Sequence, residues 1–462
     1  MTGSMSSLNT ALSALRFNRV ALDVAANNIA NQATEGYTRR RAVGASVGTP
    51  AVPASWSTYD GVGGGVSVSS LDRINDDLLD TRSRREHASQ SYLAVRSASL
   101  QRIETGIGEP GDNGVSAALA DFRASWHDLA NDPRSEAARG QVLQTANALT
   151  DSIHAQSAAI EAEASDQRSG LVARVEQANA VASSLAATNK AIASAQLGKV
   201  DTSDLMDQRD QLALRLSELT GATATARADG GFDMSVGGAS LVSGPNAARL
   251  TITAGVTSSG ASDGNPIAFG VVSGSTTTAV TGLTGEIGGV TELLTTTLPA
   301  YAAGLSAVTR TLADGVNALH QAGYDLGGTA GGAFFTYDVA DPASTLAVAV
   351  TSTGGVAASS APGGVLNSTT ATALAASGDA ETAYQRLVTG FGTEVASIKR
   401  LTTTQQLLTS QVDSAREQLS GVNLDEEMVS MVSAQRAYEA AARVMTVVDS
   451  VLDTLINRTG LL

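Results

Sequence analysis

Leu8, Leu15, Leu22 and Ile29 recur every seventh residue, and Met5, Leu12 and Ala26 sit three residues ahead of members of that series. A repeat of seven with a partner three positions away is the seam of a coiled coil, narrower than the apolar face of an ordinary globular helix. Arg19 interrupts the series once. The pattern closes on Asn27, Asn28 and Asn31 and then Gly36, residues that stop helices, so residues 1–37 are expected to form an N-terminal coiled-coil helix ending in a turn. The other end mirrors it. Leu424, Met431, Tyr438, Met445 and Leu452 again fall every seventh residue, flanked by Met428, Ala434, Ala441, Val448, Leu455 and Ile456. Asn423 is a natural N-cap, Glu426 stands where it would complete a capping box, and Asp425, Glu426 and Glu427 place negative charge at the positive end of the helix dipole. The pattern predicts a helix over roughly 424–457, within a C-terminal segment 421–462 that pairs with 1–37.

Between the seams, residues 38–220 read as a helical body. Asp80 precedes Arg84 by four residues in LDRINDDLLDTRSRRE, and the stretch from Val115 to Leu219 is rich in Ala, Leu, Gln and Glu with few breakers. Leu205, Leu212, Leu216 and Leu219 give its last helix an apolar face, with Gly221 as the stop. Composition then shifts to Gly, Ser, Thr and Val. Short alternations (Phe232, Met234, Val236; Leu250, Ile252) and Gly237–Gly238 between two of them predict a β-rich insertion over 221–283 with a tight hairpin. The helical body resumes at 284–332, a second β-like or loop insertion covers 333–377, and a last long helix runs over 378–420. The expected fold is mainly α: long terminal coiled-coil helices, a central helical bundle and a small β-rich insertion domain. No repeat other than the heptads is present.

Composition narrows the chemistry. The chain has 462 residues, no cysteine and a formal net charge of −15. Nucleic acid and anionic membranes call for a positive surface, so neither is an expected partner. Disulfides, thiolate metal sites and cysteine nucleophiles are excluded. No apolar run reaches the ~18 residues that suggest a membrane span, and the first twenty residues lack the layout of a cleaved signal, so export is expected to bypass one. His87, His127, His154 and His320 are scattered without metal-ligand spacing. Gly44-Ala-Ser46-Val-Gly48 matches GxSxG by letters but lies in loop-like text, and Gly106-Ile-Gly108-Glu-Pro-Gly111 matches GxGxxG after a helix instead of a strand. No catalytic residue, cofactor or metal is expected. Arg39, Arg40 and Arg41 form the one dense basic cluster, expected as a solvated turn, with an ionic contact to an acidic neighbouring subunit as the alternative. The two seams admit two readings: one intramolecular bundle, or burial against copies of the chain in a ring or tube.

The stretch ALDVAANNIANQATEGYTRRR (21–41) resembles the N-terminal signature of the bacterial flagellar rod, hook and hook-associated proteins, with Asn27, Asn28, Ile29, Asn31, Gly36 and Tyr37 matching its core. Residues 420–458 resemble the C-terminal signature of the same family. LMDQRDQLALRLSEL (205–219) and residues 285–328 narrow the likeness to the hook-associated members that join hook to filament; another axial subunit, of hook or distal rod, is the alternative. The family usually begins near Met-Ser-Ser-Leu, which here follows Met1–Ser4, so Met5 is a candidate start, and the β region is short for the family. The resemblance implies a structural protein without enzymatic activity, secreted through the flagellar export channel and extracellular at the hook–filament junction. It implies self-association, contacts with hook protein and the next hook-associated protein, and an export chaperone. The terminal helices would form an inner tube of coiled coils, with the β insertion as an outward knob. The apolar positions Leu8, Leu12, Leu15, Leu22, Ile29, Leu424, Met431, Tyr438, Met445 and Leu452 are the expected assembly residues.

Overall fold

A computed structural model describes residues 2–48, 63–109, 111, 114–362 and 367–454. The side chain of Met5 and the seam positions Leu455 and Ile456 lie outside what it describes. The chain opens with α1 (Thr2–Ala30), a hairpin of β1 (Arg40–Ser46) and β2 (Val66–Arg73), and helices α2 (Asp77–Ile107), α3 (Val115–Asn131), α4 (Glu136–Leu197) and α5 (Ser203–Thr220). Seven strands follow: β3 (Thr223–Ala226), β4 (Phe232–Val236), β5 (Ala239–Ser243), β6 (Asn246–Ala247), β7 (Arg249–Ala254), β8 (Ala268–Ser273) and β9 (Thr276–Val280). Then come α6 (Gly285–Glu292), α7 (Leu298–Gln321), β10 (Phe335–Thr336), α8 (Pro342–Thr345), β11 (Ala347–Val348), α9 (Thr369–Ala376), α10 (Asp379–Ser420) and α11 (Leu424–Asp453). The fold is mainly α with small antiparallel sheets.

The spine is α4, whose 62 residues span about 93 Å at ~1.5 Å per residue. Ser135 caps its start by accepting from the Ala138 amide. A helix this long is held by packing along its length, and α4 lies in two cores. Its first half joins α2, α3, α7, α9 and α10 around Trp126, Leu149, Ile153, Phe334 and Tyr384. Aromatic rings there meet edge to face, Phe334 and Phe335 at 4.9 Å and 75°. Some buried polar atoms in this core are matched, while Trp126 Nε1 and Gln156 Oε1 have no partner among the described residues. Gln156 donates to the hydroxyls of Tyr301 (2.7 Å) and Tyr384 (3.1 Å), and burial pushes both phenols above their ordinary pKa. His320 accepts at Nε2 from the Ala357 amide (2.8 Å) and donates from Nδ1 to the Gly332 carbonyl (2.7 Å), and burial lowers its pKa. It is a neutral structural histidine.

The second half of α4 packs with α5, α6 and the strands. Sheets β3-β4-β5-β6 and β7-β8-β9 are antiparallel. They have no core of their own: Phe232, Met234, Leu241, Leu250 and Val271 share one with Leu171, Leu185 and Leu216 of the helices. Asn189 grips one sheet, donating to the carbonyls of Phe232 and Gly244 (both 2.8 Å) and accepting from the Phe232 amide (3.0 Å). Asn179 grips the other through both backbone groups of Leu250 at 2.8 Å. Gly237 (φ 51°) and Gly238 (φ 83°) turn β4 into β5, the doubly left-handed geometry that a two-residue hairpin requires.

Three features depart from the sequence pattern. Residues 40–46 and 66–73, within the stretch 38–220 expected as helical body, pair as β1–β2 with a bulge between Val43 and Gly44. Strand β1 carries little apolar alternation, whereas Val66 and Val68 of β2 alternate with serines and are a legible strand signal. Ser46 of the GxSxG letters thus ends an exposed strand. Among the described residues of 333–377 the strands are β10 and β11, Ser359 makes one further bridge to Tyr324, and α9 is helical. Finally, α6 enters α7 through a π turn, Leu293–Thr297, just ahead of Pro299. Proline has no N–H to donate, and the Leu298 amide bonds five residues back to Leu293.

Trp126 is fully buried, so Trp126→Ala is expected to destabilise the chain by about 3–5 kcal/mol. Equilibrium urea denaturation checks this. A change below ~1 kcal/mol would contradict the placement of this core.

Candidate assembly interface

The two terminal helices pack side by side, and α1 also rests on the β1–β2 hairpin. On α11 the fully buried positions are Glu427, Ala434 and Ala441, spaced by seven. On α1 they are Ala11, Ala25 and Asn28. Alanine therefore occupies the deepest part of this contact, where small side chains permit close approach. The leucine seam stands beside it. Leu8, Leu12, Leu15, Leu22 and Ile29 are half-buried, as are Met431, Met445 and Leu452, while Leu424 and Tyr438 are exposed. The outer side of α11 carries further aliphatic groups in water: Met428, Val429, Val432, Val444, Val447 and Val451, with Val429 at 70% and Val447 at 61%.

Where α1 ends, Asn28 organises the turn. Its amide nitrogen donates to the Arg40 carbonyl and to Glu427 Oε2, both at 2.9 Å. Its amide oxygen accepts from the Tyr37 hydroxyl (2.8 Å) and the Arg40 amide (3.1 Å). One fully buried amide thus joins α1, the turn, β1 and α11. Asn31 turns back to the carbonyl of Asn27 (3.0 Å) and to its side-chain oxygen (3.1 Å), satisfying a helix-end acceptor. Gly36 has φ 76°, a left-handed conformation that favours glycine, and a Cβ there would also displace the end of the Gln211 side chain.

Two of the three arginines of the basic cluster are paired within the chain instead of lying in a solvated turn. Arg39 donates to Glu427 (2.7 Å) and Glu426 (2.6 Å), so Glu426 turns its carboxylate to Arg39. Asn423 still caps α11, accepting from the Asp425 amide at 2.9 Å. Arg40 is buried against Tyr37, its guanidinium 4.9 Å from the ring centre, and pairs with Asp204 and Asp207, the latter at 3.0 Å. Arg73 of β2 bridges Asp207 (Nε, 2.9 Å) and Asp210 (2.6 Å). Arg41 alone is exposed. Burial opposes the charge of Arg73, but Asp210 and Asp207 more than offset it and hold its pKa above the ordinary arginine value. Asp204, Asp207 and Asp210 share one face of α5 at i, i+3, i+6; that spacing in SDLMDQRDQ was a legible sign of a carboxylate ladder, and the sequence reading missed it.

A second clamp lies beside the first. His87 of α2 places Nε2 at 3.0 and 3.1 Å from the two oxygens of Asp413 on α10, and Nδ1 at 3.4 Å from Glu218 on α5. Glu218, and then Asp413, raise its pKa against the opposing effect of burial. Arg416 of α10 reaches Asp80 of α2 at 2.7 Å. Among the described residues no group of three or more His, Asp or Glu is placed to hold a metal ion, and no helix is long and apolar enough to cross a membrane.

Comparison with known proteins agrees with this geometry. The sequence profile described as "Flagellar hook-associated protein FlgK helical domain" matches residues 100–335, just over half of the chain. "Flagellar basal body rod FlgEFG protein C-terminal" matches 409–458, and "Flagella basal body rod protein" matches 8–38. Flagellar hook-associated protein 1 of Bacillus subtilis is 29% identical over 505 aligned residues, covering 100% of this chain and 99% of that protein. The Salmonella typhimurium protein of the same name is 27% identical, over 72% of this chain and 60% of its own length. In fold, the flagellar hook junction protein FlgK from Burkholderia pseudomallei superposes with a TM-score of 0.63 at 16% identity, covering 74% of this chain and 100% of that one.

Two outcomes follow. Asp207→Ala leaves Arg40 and Arg73 short of an acceptor and is expected to cost about 3–5 kcal/mol, with faster amide exchange in β1–β2 and the start of α11. Unchanged exchange in both segments would show that the ladder does not hold them. A histidine whose folded pKa stands above the unfolded value of about 6.5 stabilises fully below that pH, and its contribution is lost as pH rises through the raised value. The difference in melting temperature between the wild type and His87→Gln is therefore expected to be widest near about pH 6 and to narrow toward about pH 9. A difference constant over that range would contradict a charged clamp.

Proposed function

This chain belongs to the flagellar hook-associated protein family marked by the FlgK helical domain, and from that premise we propose how it works as a structural component of the flagellum at the hook–filament junction. The observation that carries the reading is the division of labour in the terminal pair. The chain buries its alanine stripe internally and leaves a larger aliphatic stripe, Val429, Val432, Val444, Val447 and Val451, in water. Exposed apolar surface of this extent marks an interaction site, and heptad geometry suits another helix. Neighbouring copies cover that stripe, so the terminal pairs pack into a ring or tube. Leu8, Leu12, Leu15, Leu22, Ile29, Leu424, Met431, Tyr438, Met445 and Leu452 line its helix contacts. The motif residues Asn27, Asn28, Asn31, Gly36 and Tyr37 set the angle at which each pair leaves its body.

On this reading the body 38–220, 284–332 and 378–420 surrounds the tube, and the β-rich segment 221–283 faces outward. The segment 333–377 completes the core of the body. Hook protein meets one end of the ring and the next hook-associated protein the other, after passage through the flagellar export channel with a chaperone. The work is assembly, with no catalytic step. The match of the FlgK profile to 100–335 favours the junction over the rod, whose profiles match only the termini.

Leu15→Asp, Met431→Asp and Val447→Asp are each expected to abolish incorporation while near-UV circular dichroism of the body stays unchanged. In cells, each variant is expected to leave hooks without filaments and to release flagellin into the medium, as seen by electron microscopy and immunoblotting. Normal filaments on all three variants would overturn the proposal.

A further inference from the structure

Buried guanidinium groups in this protein follow a rule, and Arg84 breaks it. Arg40 and Arg73 meet carboxylates, Arg209 meets Asp210 at 2.6 Å, and the fully buried Arg139 donates to the carbonyls of Pro133, Thr353 and Val356. Arg84 on α2 is 8% exposed, faces the Phe232 ring at 5.3 Å and donates to the Thr81 hydroxyl at 3.0 Å. Among the described residues, no carboxylate lies within 4.0 Å of it. It lines a cavity of 240 Å³ between α2, α5 and α10, together with Arg416, His87 and Ser83. The acids of that cavity are already engaged: Asp210 with Arg73 and Arg209, Asp80 with Arg416, Asp413 with His87 and Ser83. Glu35 stands exposed on the rim.

We propose that this cavity is a binding site for a small oxyanion of the size of phosphate or sulfate, with Arg84 as its principal donor and Arg416 as the second. A buried guanidinium whose one acceptor is a neutral hydroxyl, with no carboxylate beside it, carries a desolvation cost, and burial presses the Arg84 pKa below the ordinary arginine value. A planar fork of N–H donors suits two oxygens of one anion. The ligand would give Arg84 the anionic partner it lacks where α2, α5 and α10 meet. It would therefore stabilise this joint by mass action.

The test is calorimetric titration of the full chain with inorganic phosphate, at ionic strength held constant with sodium chloride. Saturable binding of one phosphate per chain is expected. Arg84→Met, which keeps the stem against Phe232, should weaken it at least tenfold. Arg84→Lys, which keeps the charge but loses the fork, should weaken it less. Arg227→Met, on a partly exposed side chain of the β region outside the cavity, should leave it unchanged. Absence of saturable binding to the wild type, or equal affinity in the wild type and both Arg84 variants, would overturn the site.

Discussion

A charged group taken out of water must find its counter-charge already in place, and at the joint of this molecule those counter-charges come from opposite ends of the chain. Arg39 finds Glu427 across 388 residues, Asn28 finds the same carboxylate across 399, and Arg40 finds Asp207 across 167. None of these contacts forms locally. The β1–β2 hairpin and the head of α11 are therefore held only when α1, α5 and α11 have all arrived. A buried network of this kind is weak evidence for stability, but removing one partner of a buried pair is strongly destabilising. Breaking any member leaves an uncompensated charge, which makes the angle between terminal helices and body close to all-or-none.

The terminal helices add the complementary physics. Close packing through Ala11, Ala25, Ala434 and Ala441 brings two backbones near each other while burying little apolar area. That contact alone is modest, and the salt-bridged joint anchors one end of it. The larger aliphatic groups remain at the edges and outer side of the pair, where burial stabilises only when another surface arrives. The chain carries a net charge of −15 and leaves an aliphatic stripe of α11 exposed.

Much of this was legible beforehand. The heptads, the Asn423 cap, the stop at Gly221, the Gly237–Gly238 hairpin and the change of composition after Gly221 are local signals, and each has a counterpart in the structure. The errors have physical causes. The β1–β2 hairpin is hard to read because β1 has no clear period, although Val66 and Val68 alternate with serines in β2, and its order depends on Arg40 and Arg73 meeting α5. Glu427 was assigned to the helix dipole because its spacing fits that role; that it is buried under Asn28 is visible only in three dimensions. Arg39 and Arg40 looked solvated because a run of arginines in a turn usually is.

The sequence by itself determined the helical and strand periods, the capped ends, the two apolar seams and the family signatures, since each depends on neighbours a few residues away along the chain. The tertiary structure decided which half of each seam is used internally, which carboxylate answers which arginine, and that the β strands borrow their core from α4. Those choices depend on distances between residues hundreds of positions apart. Only a compact chain with its charges paired and its volume filled can set them.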